Sequence, residues 1–341
     1  MKKIRLGDIA TLITKGTTPT TIGFSFVDTG VNFVKIESIS ENGEFLSDKF
    51  AHITDECDNK LKRSQLEEND ILFSIAGAIG RTAIVPRSIL PANTNQALAI
   101  IRIPQTAINL RFVLYALQSQ AVEEQSEKQK QGVAQLNLSL KNIADILIPL
   151  VSSEKQDEIV RNLAAVDTAI AIRKEQIRLI DQVVKSRFIE LFIGKGYPTK
   201  TVDEVSLGKG EYGAQSASIE YDPTRPRYVR ITDINDDGTL NDDVVASINP
   251  DDDEQYRLEY GDFMFARMGA TVGKTYAFIT GNQIFAGYLI RYKLNQKLIN
   301  PRYLFWYTKL DEYWNWVKLN QSGAAQPGIN AKKYGSLRIP V

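Results

Sequence analysis

The sequence predicts an α+β protein in which two copies of one domain are joined by a long, coiled-coil-forming helix. Two observations favour this fold class: short segments recur in order at an offset of about 190 residues, and a heptad-like apolar stripe separates the copies. A chain of 341 residues accommodates two domains of about 150 residues each. We therefore expect domains at residues 1–151 and 195–341, with a spacer helix at 152–194.

The repeat rests on five pairs of similar segments, and their constant order makes chance resemblance a poor explanation. Each copy contains short apolar runs with turn signals, followed by a helical stretch, which is typical of an α+β unit. The pairs are residues 34–39 and 229–234, 69–82 and 261–275, 109–112 and 300–303, 132–135 and 323–326, and 148–150 and 339–341.

Predicted elements occupy matching places in the two copies. Asn42-Gly43 and Asp237-Gly238 predict hairpin turns. The predicted strands are 32–36, 71–75 and 97–103 in the first copy and 228–231, 263–267 and 289–294 in the second, and the predicted helices are 110–130 and 301–317.

The segment between the copies predicts one helix. Ser153-Glu154-Lys155-Gln156 is a capping-box pattern and Gly194 is a stop signal. About 40 residues form a rod of roughly 60 Å, interpreted as a spacer that packs against a partner helix; the alternative is an amphipathic helix lying on a domain core. The apolar stripe consists of Ile159, Leu163, Val166, Ile170, Ile177, Ile180 and Val184.

No second spacer helix follows the second copy, which ends at Val341. The sequence therefore predicts either a shortened chain or a partner helix from another molecule. We expect the chain to self-associate, or to recruit a helix in trans, through the apolar stripe.

Composition limits the function classes. One cysteine, Cys57, and one histidine, His52, leave no disulfide framework and no cysteine- or histidine-based metal site. The net charge is zero, with 41 basic and 41 acidic residues, whereas DNA binders are usually basic because phosphate contacts supply affinity. No signal peptide or membrane span is recognisable, so we expect a soluble, cytoplasmic protein.

Three apparent motifs have simpler interpretations. Residues 269–275 resemble a phosphate-binding loop but have one spacer residue too few, so a tight turn is expected. Residues 233–238 resemble half of a calcium loop, but Val244 stands where a glutamate is needed, which predicts a hairpin tip. Trp306, Trp314 and Trp316 are interpreted as packing residues.

The chain resembles the specificity subunits of type I restriction-modification systems over essentially its whole length. The resemblance rests on Lys15-Gly16-Thr17-Thr18-Pro19, Asp70-Ile71-Leu72-Phe73 before Gly80-Arg81-Thr82, Asn95-Gln96, Gly132-Val133-Ala134-Gln135-Leu136-Asn137-Leu138 before Ile148-Pro149-Leu150, and Glu154-Lys155-Gln156. The second copy departs from this pattern, because it opens with Gly208-Lys209-Gly210-Glu211-Tyr212-Gly213 and offers no counterpart of Asn95-Gln96.

The resemblance implies a non-catalytic subunit with two target-recognition domains, each reading half of a bipartite site on double-stranded DNA. It also implies that the spacer helix docks adenine methyltransferase subunits, that restriction subunits join them, and that S-adenosylmethionine, ATP and magnesium belong to those partners. No cofactor is expected in this chain. The alternatives are a duplicated protein–protein scaffold that oligomerises through the helix, and the recognition part of a fused restriction–methylation enzyme.

Candidate DNA-binding residues follow from chemistry, because Arg and Lys recognise guanine or phosphate while Asn and Gln recognise adenine. Arg81 and Lys274 occupy equivalent places in the two copies and are the strongest candidates; the alternative for each residue is an ordinary surface or turn role. The candidates are Lys15, Thr17, Thr18, Lys35, Arg81, Asn95 and Gln96 in the first copy, and Lys209, Tyr212, Gln215, Arg225, Arg227, Arg230, Arg267 and Lys274 in the second.

Overall fold

The structure, a computed structural model, describes residues 2–104, 106, 108–129, 137–248, 254–323 and 327–341. The chain divides into two compact units, Met1–Ile172 (unit 1) and Arg173–Val341 (unit 2). One long helix, Ser153–Phe192, belongs to both, and we call it the central helix. The mixed helix and sheet content and this helix confirm the predicted fold class, while the domain boundaries drawn from the sequence remain a prediction.

Unit 1 contains short strands and helices that precede the central helix. They are β1 (Lys3–Arg5), α1 (Leu6–Ile9), β2 (Leu12–Lys15), β3 (Val31–Val34), β4 (Ala51–Ile53), α2 (Asp55–Lys60), β5 (Ile71–Ser74), β6 (Thr82–Ile84), β7 (Ala92–Thr94), β8 (Leu98–Arg102), α3 (Leu110–Leu117), α4 (Gln120–Gln129), α5 (Leu140–Asp145) and β9 (Leu147–Pro149), and the central helix is α6.

Unit 2 repeats most of this order. Its elements are β10 (Thr199–Thr201), β11 (Glu211–Tyr212), β12 (Ser218–Glu220), β13 (Arg227–Val229), β14 (Ala246–Ile248), β15 (Asp262–Ala266), β16 (Thr275–Ala277), β17 (Gln283–Phe285), β18 (Leu289–Lys293), α7 (Pro301–Tyr307), α8 (Asp311–Asn320), α9 (Ala331–Gly335) and β19 (Arg338–Pro340).

An antiparallel four-stranded sheet forms the centre of each unit. Its order is β2-β8-β5-β6 in unit 1 and β11-β18-β15-β16 in unit 2. The registers correspond, since Ile71 lies opposite Ile101 and Phe263 lies opposite Tyr292. A second pairing also recurs, because β3 is parallel to β7 and β13 is parallel to β17. The two units are therefore copies of one fold, as the internal repeat predicts.

The inner strands of the four-stranded sheet are buried on both faces. Ile71, Leu72 and Phe73 of β5 are all fully buried. Ile71 and Phe73 pack in one core with residues of α3, while Leu72 packs on the other face with Val85. This explains why the strand is a continuous apolar run instead of an alternating one.

Each unit has two helices where the sequence predicted one, so the single helices expected at 110–130 and 301–317 are wrong. The first helix of each pair ends where a hydroxyl bonds to a nearby carbonyl: Ser119 Oγ donates to the Ala116 oxygen over 2.6 Å, and Thr308 Oγ1 donates to the Phe305 oxygen over 2.7 Å. Such side-chain bonds compete with the helical backbone ladder and favour a break.

An aspartate at the start of each of the strands β5 and β15 has a structural role: Asp70 precedes β5 and Asp262 is the first residue of β15. Asp70 accepts a hydrogen bond from the Glu67 backbone N–H over 2.8 Å, and Asp262 accepts one from the Glu259 N–H over 3.0 Å. Asp70 also binds Arg102 over 2.7 Å. Burial raises the pKa of the Asp262 carboxyl. These carboxylates fix the turns that lead into the central strands, where an unpaired buried charge would be costly.

Two interpretations of apparent motifs agree with the structure. Residues 235–239 form a hairpin tip, in which the Asn235 N–H donates to the Thr239 oxygen over 2.9 Å. The three tryptophans pack against the core of unit 2. No helix in the described part of the chain is long and apolar enough to cross a membrane.

Tyr307 gives the stability of unit 2 a dependence on alkaline pH. Burial raises the pKa of its phenol to about 12, and its hydroxyl donates to the Arg338 oxygen over 3.1 Å. The neutral phenol is therefore favoured in the folded state, so its stabilisation is complete below pH 10 and is lost as the pH rises from 10 to about 12. Urea unfolding followed by tryptophan fluorescence at several alkaline pH values should reveal this decline.

Tyr307→Phe should lose about 1 kcal/mol of stability at neutral pH and show a shallower alkaline decline. Tyr221→Phe is the matched control, because Tyr221 is 45% exposed, and it should behave as the wild type. An undiminished alkaline decline in Tyr307→Phe would contradict this assignment.

Candidate nucleic-acid interface

In each central sheet, the loops that follow two of the strands and the loops that precede the other two lie at the same end of the sheet. In unit 1, β2 and β5 finish at the end where β6 and β8 begin, because the strands are antiparallel. Residues 16–18, 75–81 and 94–97 therefore meet there, and we call them the loop edge of unit 1. The corresponding residues 213–217, 267–274 and 286–288 form the loop edge of unit 2.

The loop edge of unit 1 brings together candidates that are far apart in sequence. Thr18 Oγ1 donates to Gln96 Oε1 over 2.5 Å, and the Gly16 N–H donates to the Asn95 oxygen over 3.1 Å. Lys15 ends β2 opposite Ala99 and has no ion pair within the described residues. The structure thus brings Thr18 next to Gln96 and Gly16 next to Asn95, and the contact of these residues with DNA remains a prediction.

In unit 2 the corresponding edge presents different side chains. Tyr212 opposes Ile290 in the register position that Lys15 occupies in unit 1. The Arg267 guanidinium carbon lies 4.8 Å from the centre of the Tyr212 ring, and Arg267 Nη1 donates to the Gly287 oxygen over 3.4 Å. Tyr288, which is 51% exposed, was missed by the sequence analysis. Its aromatic character and its place before β18 were the available signals.

Gly16 and Gly213 allow the same close approach of two backbones. A Cβ on Gly16 would lie 1.8 Å from the Thr94 oxygen, and a Cβ on Gly213 would lie 2.3 Å from the oxygen of Phe285. The second copy therefore keeps the glycine that the geometry needs although the residues around it differ. In place of Asn95-Gln96 it has Ala286-Gly287, and the Gly287 N–H donates to the Ala214 oxygen over 2.7 Å.

Arg81 and Lys274 hold the hairpin turns in place. Arg81 Nη1 donates to the Ile39 oxygen over 2.8 Å, and Lys274 Nζ donates to the Ile234 oxygen over 3.3 Å. Lys274 also pairs with Asp236 over 2.7 Å. Arg81 and Lys274, which occupy equivalent places in the sequence, thus have the same structural role in the two units. Their contact with DNA is still a prediction.

The remaining basic candidates have partners within the chain. Their carboxylate partners include Glu37 for Lys35 at 3.8 Å, Asp203 for Lys209 at 2.5 Å, Asp222 for Arg225 at 3.4 Å, Asp242 for Arg227 at 2.5 Å, and Asp233 for Arg230 at 2.8 Å. Gln215 Nε2 donates to the Gly213 oxygen over 3.4 Å, and Thr17 lines a groove described below.

Repeated segments near the loop edges complete the site. The Leu138 N–H donates to the Ile75 oxygen over 2.9 Å, and the Ile329 N–H donates to the Arg267 oxygen over the same distance. The chain therefore contacts each loop edge again at Leu138 and at Ile329. The motif at 132–135, residues 324–326 of its counterpart at 323–326, and the acidic residues 251–253 lie outside the described residues.

The central helix exposes most of its predicted apolar stripe. Leu163, Val166, Ile170, Ile177 and Ile180 are between 39% and 62% exposed. Ile159 instead packs against the core of unit 1, and Val184 is half-buried. The sequence analysis missed a second set, Ile172, Leu179 and Val183, with exposures of 53%, 45% and 67%.

Gly16→Ala should distort the loop edge of unit 1, because the new methyl group would overlap the Thr94 carbonyl. We expect a loss of about 2 kcal/mol or more in the free energy of unfolding, measured by denaturant titration with circular dichroism. Gly208→Ala is the control, since a Cβ there would meet no heavy atom within 4 Å. Equal stability of the two variants would refute the close approach.

Comparisons with known proteins identify the family. A family model described as the type I restriction modification DNA specificity domain matches residues 1–182. The specificity subunit of the type I restriction enzyme EcoBI from Escherichia coli is 35% identical over 136 residues, which are 39% of this chain and 28% of that protein. The match to that relative thus spans less than a third of its length.

Two solved structures share the fold. A chain from a study of complex assembly and conformational transition in the type I R-M system is 16% identical, with a TM-score of 0.52, and the match covers 100% of this chain and 85% of that one. The S subunit of a type I restriction-modification system from M. genitalium is 13% identical, with a TM-score of 0.50 and coverages of 100% and 84%. Because the family model covers more than half of its 341 residues, this chain belongs to the family of type I restriction-modification DNA specificity domains.

Proposed function

We propose that this chain is the non-catalytic specificity subunit of a type I restriction-modification system, and that each unit reads one half of a bipartite DNA target with its loop edge. The supporting observation is that one backbone frame, present in both units, carries different polar side chains at corresponding positions. If two copies of one domain read two different half-sites, the backbone must be the same in both copies while the side chains that contact the bases differ.

The chemistry of each loop edge suits base edges in the major groove. Arg267 lies over the Tyr212 ring and has no carboxylate partner within the described residues, so its remaining donors suit the two acceptors of guanine. In unit 1, the exposed Gln96 amide suits adenine. Lys15 is a further donor beside it. Different halves of the target should therefore be read by different residue types.

The central helix offers two apolar surfaces, which we assign to two kinds of partner. Ile172 follows Ile170 by two positions, and Leu179 follows Ile177 likewise, so each pair is separated by about 200° around the helix. The stripe with Ile170 and Ile177 is assigned to a partner helix, from a second copy of this chain or another molecule. The set with Ile172 and Leu179 is assigned to an adenine methyltransferase subunit. Exposed apolar rows of this kind are typical of helix-packing surfaces.

Catalysis is assigned to the partners. The methyl donor S-adenosylmethionine would be bound by the methyltransferase subunits, and ATP and magnesium would be used in the assembly with restriction subunits. These assignments rest on the family resemblance. The chain itself supplies recognition and assembly.

The proposal is tested by mapping adenine methylation in the genome of cells that express the cognate methyltransferase subunit with and without this chain. We expect a new motif of two short half-sites with a fixed spacer. Arg267→Ala should relax the base preference in one half-site and leave the other half-site unchanged, with a loss of about 1–3 kcal/mol in discrimination. Arg302→Ala, an exposed arginine outside the loop edge, should leave the motif intact.

If no motif appears, a copy of residues 152–192 appended after Val341 provides a second helix that can pack against the central helix. Restored methylation would support the proposal and would show that the assembly requires a second helix. Continued absence of a motif, with the methyltransferase bound, would instead favour the duplicated protein–protein scaffold, an alternative that the exposed central helix also suits.

The two assignments on the central helix predict separable defects. Ile170→Glu should weaken self-association in sedimentation velocity, and Ile172→Glu should reduce co-purification of the methyltransferase subunit, because each buries a charge in one interface. Ala171→Glu is the matched control, since Ala171 is exposed and lies between the two surfaces. If all three variants assemble as the wild type does, the central helix is not the docking surface.

A further inference from the structure

A group of basic side chains stands beside the loop edge of unit 1. Lys60 ends α2, and Lys62 and Arg63 lie in the 3₁₀ turn Lys62–Ser64 that follows. All three are exposed and have no ion pair within the described residues. We call Lys60, Lys62 and Arg63 the basic patch. Lys60, Arg63 and Thr17 of the loop edge line one groove of about 620 Å³.

The basic patch differs from those cations of the described residues that are paired with carboxylates. In the described residues, carboxylates pair with many arginines and lysines, among them Arg5, Arg102, Arg178, Arg187, Lys209, Arg227, Arg230, Arg257, Lys274 and Arg291. Because the net charge of the chain is zero, cations without partners create the local positive potential that an anion encounters.

The acidic residues near the basic patch do not cancel it. Asp55 and Glu56 lie in the first turn of α2, at the opposite end from Lys60. Asp58 is half-buried, and its oxygens accept hydrogen bonds from Gln65 Nε2 over 2.6 Å and from Asn93 Nδ2 over 2.8 Å. Asp58 therefore faces the protein and fixes the helix.

Asn93 anchors the basic patch to the strand that leads into the loop edge. Its side chain is fully buried in β7, where it accepts from Ser64 Oγ over 2.7 Å and donates to the Leu61 oxygen over 3.2 Å. Asn95 and Gln96 follow two and three residues later. The basic patch and the polar side chains of the loop edge are thus held in one rigid arrangement, as a surface that binds one ligand requires.

We propose that the basic patch binds the phosphate backbone of DNA next to the bases that the loop edge of unit 1 reads. This inference rests on the proposed function and adds the positions of backbone contacts. Lysine and arginine neutralise phosphates without reading sequence, and such contacts fix the register of a protein on the duplex. The groove between the basic patch and Thr17 places phosphate contacts beside base contacts.

Unit 2 has the opposite charge at the corresponding place. The 3₁₀ turn Glu254–Tyr256 precedes Arg257. The backbone of Arg257 forms an isolated β-bridge with Ile284 of β17, just as the backbone of Gln65 forms one with Asn93 of β7. Glu254 therefore stands where Lys62 stands; it pairs with Arg257 over 2.9 Å, and three aspartates precede it in the sequence. Among the described residues this backbone contact is assigned to unit 1, so the two halves of the target are held with unequal electrostatic strength.

The test uses the full chain assembled with its methyltransferase subunits and a DNA duplex that carries the methylation motif. The variant Lys60→Ala, Lys62→Ala, Arg63→Ala should bind more weakly, and the slope of log affinity against log salt should fall in magnitude by about 2 to 3. The base preference of the methylation motif should not change. The control removes the same charge at exposed lysines elsewhere: Lys3→Ala, Lys195→Ala, Lys297→Ala.

The outcomes are distinguishable. If the wild-type assembly binds the motif but the triple variant keeps the same affinity and salt slope, the basic patch does not contact phosphate while the proposed function stands. If the triple variant loses the methyltransferase subunits, the basic patch is a protein interface and the inference is overturned. If the wild-type assembly does not bind DNA, the proposed function itself fails. Equal melting temperatures of variant and control establish that the fold is intact.

Discussion

The inner strands of the central sheet in each unit are buried on both faces, and the placement of the polar residues follows from this constraint. Strands such as β5 and β15 have apolar side chains on both sides, so a polar side chain within the sheet loses its water and needs a partner there, as Arg291 of β18 has in Glu211 and Asp262. Polar residues therefore concentrate at the strand ends. In an antiparallel sheet of four strands, each end collects several loops, and one end becomes a continuous polar surface.

At that end, backbone contacts maintain the frame and side chains are free to differ. The approach of Gly16 to the Thr94 carbonyl and of Gly213 to the Phe285 carbonyl involves main-chain atoms, and it places no demand on the neighbouring residues. Lys15 and Tyr212 can thus occupy one register position in the two units. A frame held by the backbone allows the chemistry of recognition to change at small cost in stability.

The sequence was most informative where a single periodicity dominates. The duplication, the central helix and six strands were predictable because apolar runs and ordered repeats are local signals. The helix breaks at Ser119 and Thr308 were not predictable, because a hydroxyl that bonds to a carbonyl does not change the hydrophobic periodicity of the sequence. Similarly, the cluster of Thr18 with Gln96 depends on strand pairing between distant segments. The Lys-Leu-Lys-Arg run at 60–63 was visible, but its neighbours in space were not.

In each unit the first and the last strand along the chain are paired with each other: β1 with β9, and β10 with β19. The chain consequently enters and leaves each unit at one place, and no other part of that unit need be interrupted to remove it. In evolutionary terms, a unit is a cassette with adjacent ends. Recombination at two neighbouring points replaces one whole recognition surface at once, without a gradual series of partly altered and unstable intermediates.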